Sequence, residues 1–407
     1  MLPEMTSIRS TRVALPDGIR PAKVEIEDGL FVSVGDGPAD RDYGDLVILP
    51  GLVDSHVHVN EPGRTEWEGF ATATRAALAG GTTTIVDMPL NSVPPTTTVD
   101  ALEAKRTAAH GKLSSDVAFW GGVVPGSEGE IPGLVDGGVC GFKVFLTDSG
   151  VPDYPPVEVR DLERLQWDVP LLVHAEATDL LGDPGPSYDE YLASRPAEAE
   201  AVAIRRLSGL DAPVHILHVS SGAGVDVIAS LHGISGETCP HYLTFTDADV
   251  RGPEYKCAPP IRDAENREAL WEGLKSGVLA MVVSDHSPAP PDMKRGDFAS
   301  AWGGIASVQL RLCATWSGAA SRGIPLSALV GWLAGAPAHL AGLDDRKGSI
   351  APGKDADYVV FDPDGVTEVR GVDLHHRHPL TPYEGMRLRG EVVETSLGSP
   401  ARMLVRR

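Results

Sequence analysis

Short apolar, β-branched runs alternate with amphipathic stretches through the middle of the chain. The apolar runs cover residues 52–59, 83–88, 117–124, 141–146, 170–174, 214–219, 237–242 and 279–284. The amphipathic stretches between them include residues 67–78, 99–110, 158–167, 188–207, 223–232 and 265–275. Eight buried strands that alternate with helices predict an α/β fold of the (β/α)8 TIM barrel type. An open doubly wound sheet shows a similar alternation, but no GxGxxG loop follows a strand here.

Both ends of the chain have a different texture, with short β-like runs that are separated by turns. These runs cover residues 11–15, 23–26 and 30–34 near the start, and residues 356–361, 366–370 and 389–394 after the barrel. The simplest arrangement pairs the two ends with each other. We therefore expect a small β-sandwich domain from residues 1–49 plus 348–407, and a barrel domain from residues 50–347.

The charge and cysteine content narrow the class of protein. The formal net charge of −22 disfavours binding to nucleic acid or to an anionic membrane. The 4 cysteines lie far apart and show no CxxC spacing, which is typical of a reducing compartment. The chain shows neither an N-terminal signal segment nor an apolar run of about 18 residues. We expect a cytoplasmic protein that acts on a small molecule.

A histidine pair marks the end of the first predicted barrel strand. The sequence there reads Asp54-Ser-His56-Val-His58, and residues two apart in a strand point to the same side. Two neutral imidazoles with this spacing can chelate one divalent ion. Such a pair is by itself equally typical of ordinary core histidines, so its meaning depends on the other strand ends.

Four more polar side chains lie at the ends of later strands. Lys143 lies in GFKVFL, His174 in LLVHAEA, His218 in VHILHVSS and Asp285 in VVSDHSP. The carboxyl ends of all barrel strands meet at one rim, where the active sites of such barrels are found. Six nitrogen and oxygen ligands are therefore expected to gather there.

These motifs resemble the cyclic amidohydrolases, which include dihydroorotase, hydantoinase, dihydropyrimidinase and allantoinase. The resemblance extends over roughly residues 45 to 390 and includes HVHVNEPGR, YLASRP, ETCPHYL, KCAPPIRD, AWGGIASVQ and KGSIAPGKDADYVVF. It implies two divalent ions, with zinc as the expected metal and cobalt, manganese or iron as alternatives. By resemblance, one ion is held by His56, His58 and Asp285 and the other by His174 and His218. A carboxylated Lys143 bridges them.

The resemblance also implies a mechanism. A buried ammonium is unfavourable, so the neutral amine of Lys143 is able to take up CO₂ and become a carbamate. A hydroxide bridged by the two ions then attacks the ring carbonyl of the substrate. Asp285 accepts the proton and hands it to the departing ring nitrogen. The family pattern further implies a homotetramer.

Within the family, the motifs are most similar to those of allantoinases, which open the hydantoin ring of allantoin to allantoate in purine catabolism. Dihydroorotases typically have arginine at the position of Asn60, where its charge binds the substrate carboxylate. An amide lacks that charge, which disfavours dihydroorotate. Hydantoinases often use a tyrosine after the lysine, and the one nearby tyrosine, Tyr154, does not match that position. Hydantoinase or dihydropyrimidinase activity is the main alternative, and a non-catalytic assembly protein is a second class.

Substrate contacts are less clear from the sequence. By resemblance, main-chain groups of Ala258 and Gly303 contact the substrate ring. Asn91 and Ser287 lie near the rim and either contact the substrate or cap loops. His241 is expected to pack behind the ligands, and the group of His375, His376 and His378 to form a solvated loop or a subunit contact.

Overall fold

The computed structural model describes residues 5–406 and contains strands and helices in the predicted alternation. The strands are β1 (Met5–Leu15), β2 (Gly18–Glu27), β3 (Leu30–Gly35), β4 (Arg41–Asp42), β5 (Val47–Pro50), β6 (Leu52–Val57), β7 (Thr82–Asp87), β8 (Asp116–Phe119), β9 (Gly121–Gly122), β10 (Phe142–Phe145), β11 (Leu171–His174), β12 (Val214–Ile216), β13 (Ile234–Thr238), β14 (Met281–Val282), β15 (Tyr358–Glu368) and β16 (Arg387–Ser396). The helices are α1 (Phe70–Ala79), α2 (Val99–Ala109), α3 (Ile131–Asp136), α4 (Val159–Leu162), α5 (Tyr188–Ser194), α6 (Ala197–Arg206), α7 (Gly222–Ser230), α8 (Pro240–Thr244), α9 (Ala264–Ser276), α10 (Arg311–Ser321), α11 (Leu326–Val330) and α12 (Ala336–Leu340).

Strands β6 to β14 are parallel and follow one another in chain order around a closed ring. One part of the ring runs β6-β7-β8 and the other runs from β9 through β10, β11, β12 and β13 to β14. The strand ends close the ring where the amide of His58 donates to the carbonyl of His286 at 2.8 Å. Strands β8 and β9 follow each other directly along the chain and are separated only by Trp120. Parallel closure of this kind places every carboxyl strand end on the same rim.

The ring strands are buried on both faces because side chains fill the inside and helices cover the outside. All 6 residues of β6 are buried, as are all 6 of β7. Helix α1 packs its apolar side, including Phe70, against this wall, and the Phe70 ring meets Phe119 of β8 at 6.3 Å. Continuous apolar runs in the sequence are the direct consequence of this two-sided burial.

The two chain ends pair into one sheet with the order β16-β15-β5-β1-β2-β3, and β4 pairs with β1. Strand β15 runs antiparallel to β5, with Tyr358 opposite Pro50. The sheet has its own buried apolar cluster, which includes Val24, Phe31 and Val360. Strands from the two ends of the chain thus pair in one sheet, as their similar pattern of short β-like runs predicts.

A buried lysine joins this sheet to the ring. The ammonium of Lys347 lies 2.6 Å from carboxylate oxygens of Asp116 and Asp357 and 2.9 Å from Asp355. Asp116 belongs to β8, whereas Asp357 directly precedes β15. Residues beyond β16 also reach the ring, because the N–H of Val117 donates to the carbonyl of Arg402 at 3.0 Å and the carbonyl of Val117 accepts from the N–H of Leu404 at 2.8 Å.

Several elements are shorter than predicted, such as α4 and β14, and two further differences have a clear local cause. The seventh ring strand lies at Ile234–Thr238 and not at residues 237–242, because Pro240 lacks the N–H that a central strand needs. The long stretch 188–207 forms two helices, α5 and α6, which are separated at Arg195 and Pro196. Among residues 5–406, no helix combines the length and the apolar character required to cross a membrane.

Candidate metal centre

The six side chains predicted as ligands meet at the carboxyl rim of the ring. The first group consists of His56 on β6, His58 directly after that strand, and Asp285, which follows β14. The Nε2 atom of His56 lies 3.1 Å from Oδ1 of Asp285, and Nε2 of His58 lies 3.8 Å from the same oxygen. The Lys143 ammonium at the end of β10 lies 3.4 Å from Nε2 of His56. Ligand atoms of His56, His58 and Asp285 lie within 4.8 Å of one another, close enough to share one cation.

The second group lies beside the first one. Nδ1 of His174, at the end of β11, lies 3.0 Å from Nε2 of His218, which follows β12. The rings of His218 and His56 are 5.5 Å apart, so the two groups share one small space. Phe145 stacks on His174 with ring centroids at 4.6 Å and fixes the plane of that ring.

Two buried glutamates contact the outward nitrogens of these histidines. Oε1 of Glu237 lies 2.6 Å from Nδ1 of His56, and Oε2 of Glu176 lies 2.7 Å from Nε2 of His174. An ionised carboxylate accepts hydrogen bonds, so each outward nitrogen carries the hydrogen and each inward nitrogen keeps a lone pair. This is the arrangement that orients histidine ligands towards a metal. Sequence reasoning missed both glutamates, although Glu176 follows His174 at the spacing that keeps two strand residues on one side.

Burial favours the neutral forms of the cationic groups in this site. It lowers the pKa values of His56, His58, His174 and His218 below the usual histidine value. Burial also lowers the pKa of Lys143 to about 8. Metal ligation requires neutral imidazole, and carbamate formation requires neutral amine, so burial shifts both kinds of group towards the form that they need.

Burial has the opposite effect on the carboxyl group of the site. It raises the pKa of Asp285 to about 7, with the neighbouring Lys143 acting against this shift. A carboxyl with a raised pKa is suited to exchange protons near neutral pH.

The backbone is strained at the same rim. Four non-glycine residues have positive φ there: Asn60 (67°), Asn91 (69°), His218 (39°) and Asp285 (44°). Positive φ costs an ordinary residue free energy, so such residues are retained where the surrounding structure needs a special side-chain direction. Two of the four are predicted ligands and the other two are predicted substrate contacts.

The two predicted asparagine contacts lie directly beside the ligand groups. The Asn60 amide donates to the carbonyl of Pro288 at 3.2 Å, and its Oδ1 is buried with no hydrogen-bond partner among the described residues. The Asn91 amide nitrogen lies 3.4 Å from Nδ1 of His58. A buried acceptor without a partner is a costly feature that a bound polar ligand relieves.

The predicted main-chain contacts come from two loops that meet. Gly304 donates to the carbonyl of Lys256 at 2.8 Å, so the segments that contain Gly303 and Ala258 lie side by side. Within residues 5–406, the main-chain groups of Gly303 and Ala258 make no hydrogen bond. They are therefore available to a ligand. Ser287 forms a main-chain bond to Ile305 at 3.0 Å in the adjoining loop.

The structure also shows the surroundings of three other residues that the sequence analysis named: His241, Tyr154 and His376. His241 is buried, with neither ring nitrogen hydrogen-bonded in the described chain, and one of its nitrogens lies within 4.8 Å of Cys239 and Asp285 ligand atoms. Tyr154 is buried and donates to the carbonyl of Lys143 at 2.7 Å, so its hydroxyl is occupied. The expectation of a solvated histidine group was wrong for His376, which is buried and packs edge-on against His286 at 5.8 Å.

This chain is similar to known proteins in sequence and in fold. The amidohydrolase family model matches residues 47–150 and 241–398. The allantoinase of Streptomyces avermitilis is 47% identical, over 96% of this chain and 93% of its own length. The allantoinase of Arabidopsis thaliana is 40% identical, over 95% and 86%. Among solved structures, the L-hydantoinase (dihydropyrimidinase) of Arthrobacter aurescens has a TM-score of 0.91 at 29% identity, with 98% of both chains covered.

The family model covers more than half of the chain, and both allantoinases align over nearly all of it at 40% identity or more. The chain therefore belongs to the amidohydrolase family.

Proposed function

We propose that this chain is a dinuclear metal-dependent cyclic amidase that hydrolyses allantoin to allantoate. The observation that carries the proposal is the rim cluster, in which the Lys143 ammonium lies 3.4 Å from His56. His58 and Asp285 complete that group, and the pair of His174 and His218 lies beside it. The relatives named allantoinase, which align over nearly the whole chain, support the choice of substrate.

The donor set fits a pair of divalent ions. His56, His58 and Asp285 would hold one ion and His174 and His218 the other, with a carboxylated Lys143 shared between them. Imidazole nitrogen with carboxylate oxygen suits zinc, while cobalt, manganese and iron also accept such ligands. When bound, the ions supply polarisation of the ring carbonyl and activation of water.

The remaining chemistry belongs to the side chains and main chain of this protein. Asp285 accepts the proton of the attacking water and delivers it to the ring nitrogen that departs. Asn60 offers its free buried oxygen to an N–H group of the substrate. Main-chain groups of Ala258 and Gly303 hold the ring on the opposite side.

Two observations favour allantoin over other cyclic amides. Asn60 stands where dihydroorotases typically have an arginine. The chain therefore lacks, at this position, the positive charge that binds the carboxylate of dihydroorotate. The Tyr154 hydroxyl is occupied by the Lys143 carbonyl, which removes the tyrosine used by many hydantoinases. Hydantoinase activity is the second candidate because solved hydantoinases share the fold.

A substrate panel tests the proposal. Protein loaded with zinc, cobalt or manganese is offered allantoin, hydantoin, dihydrouracil and dihydroorotate at equal concentrations. We expect the highest kcat/KM for allantoin and complete loss of activity after chelation, with recovery on adding metal back. Preferred turnover of dihydroorotate, or full activity in metal-free protein, would contradict the proposal.

Replacing Glu237 by glutamine should weaken metal binding by about 10–100-fold, because the amide no longer fixes the His56 ring as an anion does. Metal affinity is measured by competition with a coloured chelator. Asp355→Asn is the matched control, since Asp355 is also a buried carboxylate but pairs with Lys347 away from the rim. Unchanged affinity in Glu237→Gln would show that this carboxylate does not orient the ligand.

We also propose the wider features that the family pattern implies. Residues 1–49 and 348–407 would form a small β-sandwich domain beside a barrel of residues 50–347, and four copies would form a homotetramer. The four cysteines are all unpaired, which supports a cytoplasmic location. Light scattering on the purified protein measures the oligomeric state directly.

A further inference from the structure

Two buried lysines flank the loops that carry Ala258 and Gly303. Lys256 and Lys294 are each 8% exposed, and neither makes an ion pair with a carboxylate within 4.0 Å in the described chain. Burying a cation without an anionic partner costs free energy. Burial accordingly lowers the pKa of Lys294 to about 7 and also lowers the pKa of Lys256. Such lysines require an explanation beyond packing.

Both ammonium groups donate to main-chain carbonyls of these loops. Lys256 donates to the carbonyl of Ala301 at 2.6 Å. Lys294 donates to the carbonyl of Gly304 and lies 3.4 Å from the carbonyl of Lys256. Ala301 and Gly304 bracket Gly303 along the chain, and the bond to the Lys256 carbonyl ties this loop to the segment that precedes Ala258.

One aromatic ring, that of Tyr191, packs against the Lys256 ammonium. The Lys256 ammonium lies 5.0 Å from the centre of the Tyr191 ring, on helix α5. The hydroxyl of Tyr191 in turn donates to the carbonyl of Cys257 at 2.8 Å. Helix α5 thus contacts the same loop pair through a cation, a ring and a hydrogen bond.

We infer that Lys256 and Lys294 are positioning residues that clamp the two loops together, so that the free main-chain groups of Ala258 and Gly303 face the substrate ring. The inference rests on the proposed function for its effect on substrate, but not for the clamp itself. Because the lysines act through main-chain geometry and touch no reacting atom, their loss should affect substrate binding more than the chemical step.

Kinetics of the holoenzyme with allantoin provide one test. We expect Lys256→Met and Lys294→Met each to raise KM by about tenfold, while kcat changes by less than about threefold, since methionine keeps the apolar stem but removes the donor. Lys354→Met is the matched control, because Lys354 donates to the carbonyls of Asp344 and Lys347 far from the rim. It should leave KM unchanged.

Hydrogen exchange provides a second test that needs no substrate. The amides of Gly304 and Trp302 donate to the carbonyls of Lys256 and Met293 and should exchange faster in both lysine variants than in the wild type. Unchanged exchange would overturn the clamp. Faster exchange with unchanged KM, in an enzyme that hydrolyses allantoin, would overturn the positioning role alone. Absence of any turnover by the wild type would instead refute the proposed function and leave the exchange result to decide on the clamp.

Discussion

Replacing Lys143 by alanine should lower kcat/KM by about 10³-fold or more, the largest single effect expected for this chain, because the ligand proposed to be shared by both metal sites is lost. Lys143 is buried at the end of β10, and its ammonium lies 3.4 Å from the His56 nitrogen that faces the centre. Metal analysis should show fewer than two ions per chain. The variant should remain folded, since alanine removes a cation whose burial is unfavourable.

The control for this experiment is a second buried lysine. Lys347→Ala removes an ammonium that pairs with three carboxylates between the ring and the terminal sheet. It should lower the melting temperature, because three buried carboxylates lose their partner, and should keep the metal content of the wild type. Two ions and full activity in Lys143→Ala would show that Lys143 is no bridge.

The second large effect is expected for Asp285→Asn. An amide cannot accept and return a proton, so kcat should fall by about 10²–10⁴-fold, the range of a positioned general acid or base. The remaining ligands, His56 and His58, are unchanged, so part of the metal binding should persist. Because Asp285 acts on the chemical step, KM should change much less than kcat.

Asp292→Asn is a suitable comparison, since it makes the same chemical change further along the chain, on an exposed carboxylate that pairs with Arg295 at 2.9 Å. It should keep most of the wild-type kcat. If Asp285→Asn also keeps most of its kcat while retaining both ions, another group must carry the proton.

Much of the site follows from sequence because a barrel converts strand ends into neighbours. His56, His174 and Asp285 are far apart along the chain, yet the parallel register places each on the same rim. A strand-end histidine or aspartate is therefore informative even before any contact is known. The resemblance then separates this pattern from ordinary core histidines.

Other parts of the site depend on contacts that no local pattern contains. Glu237 lies in the motif ETCPHYL, but that motif does not show what the side chain contacts. Its hydrogen bond with the outward nitrogen of His56 joins β13 to β6, which are far apart in the sequence. Lys256 and Lys294 bind carbonyl groups, which every residue possesses, so their partners leave no trace in the sequence. His376 looked solvated because polar neighbours surround it, whereas the fold buries it against His286.

The strands of the ring were also easier to predict where both faces are apolar. Strand β13 contains Ser235 and Gly236, which weaken the apolar signal, and the sequence prediction placed the strand three residues too late. Gly236 is required there because a side chain would meet Ile228 and Leu279 at close range. Packing and not propensity sets that strand.

The pairing of Val117 with Arg402 and Leu404 has a consequence for synthesis of the chain. A nascent polypeptide that has emerged only as far as β16 already contains every strand of the ring, yet the N–H and C=O groups of Val117 still await their partners. The third strand of the ring therefore gains its last main-chain partners only when residues 402–404 leave the exit tunnel. A bulky fusion joined directly after them would press on the third strand of the catalytic ring, so a flexible spacer belongs at that junction.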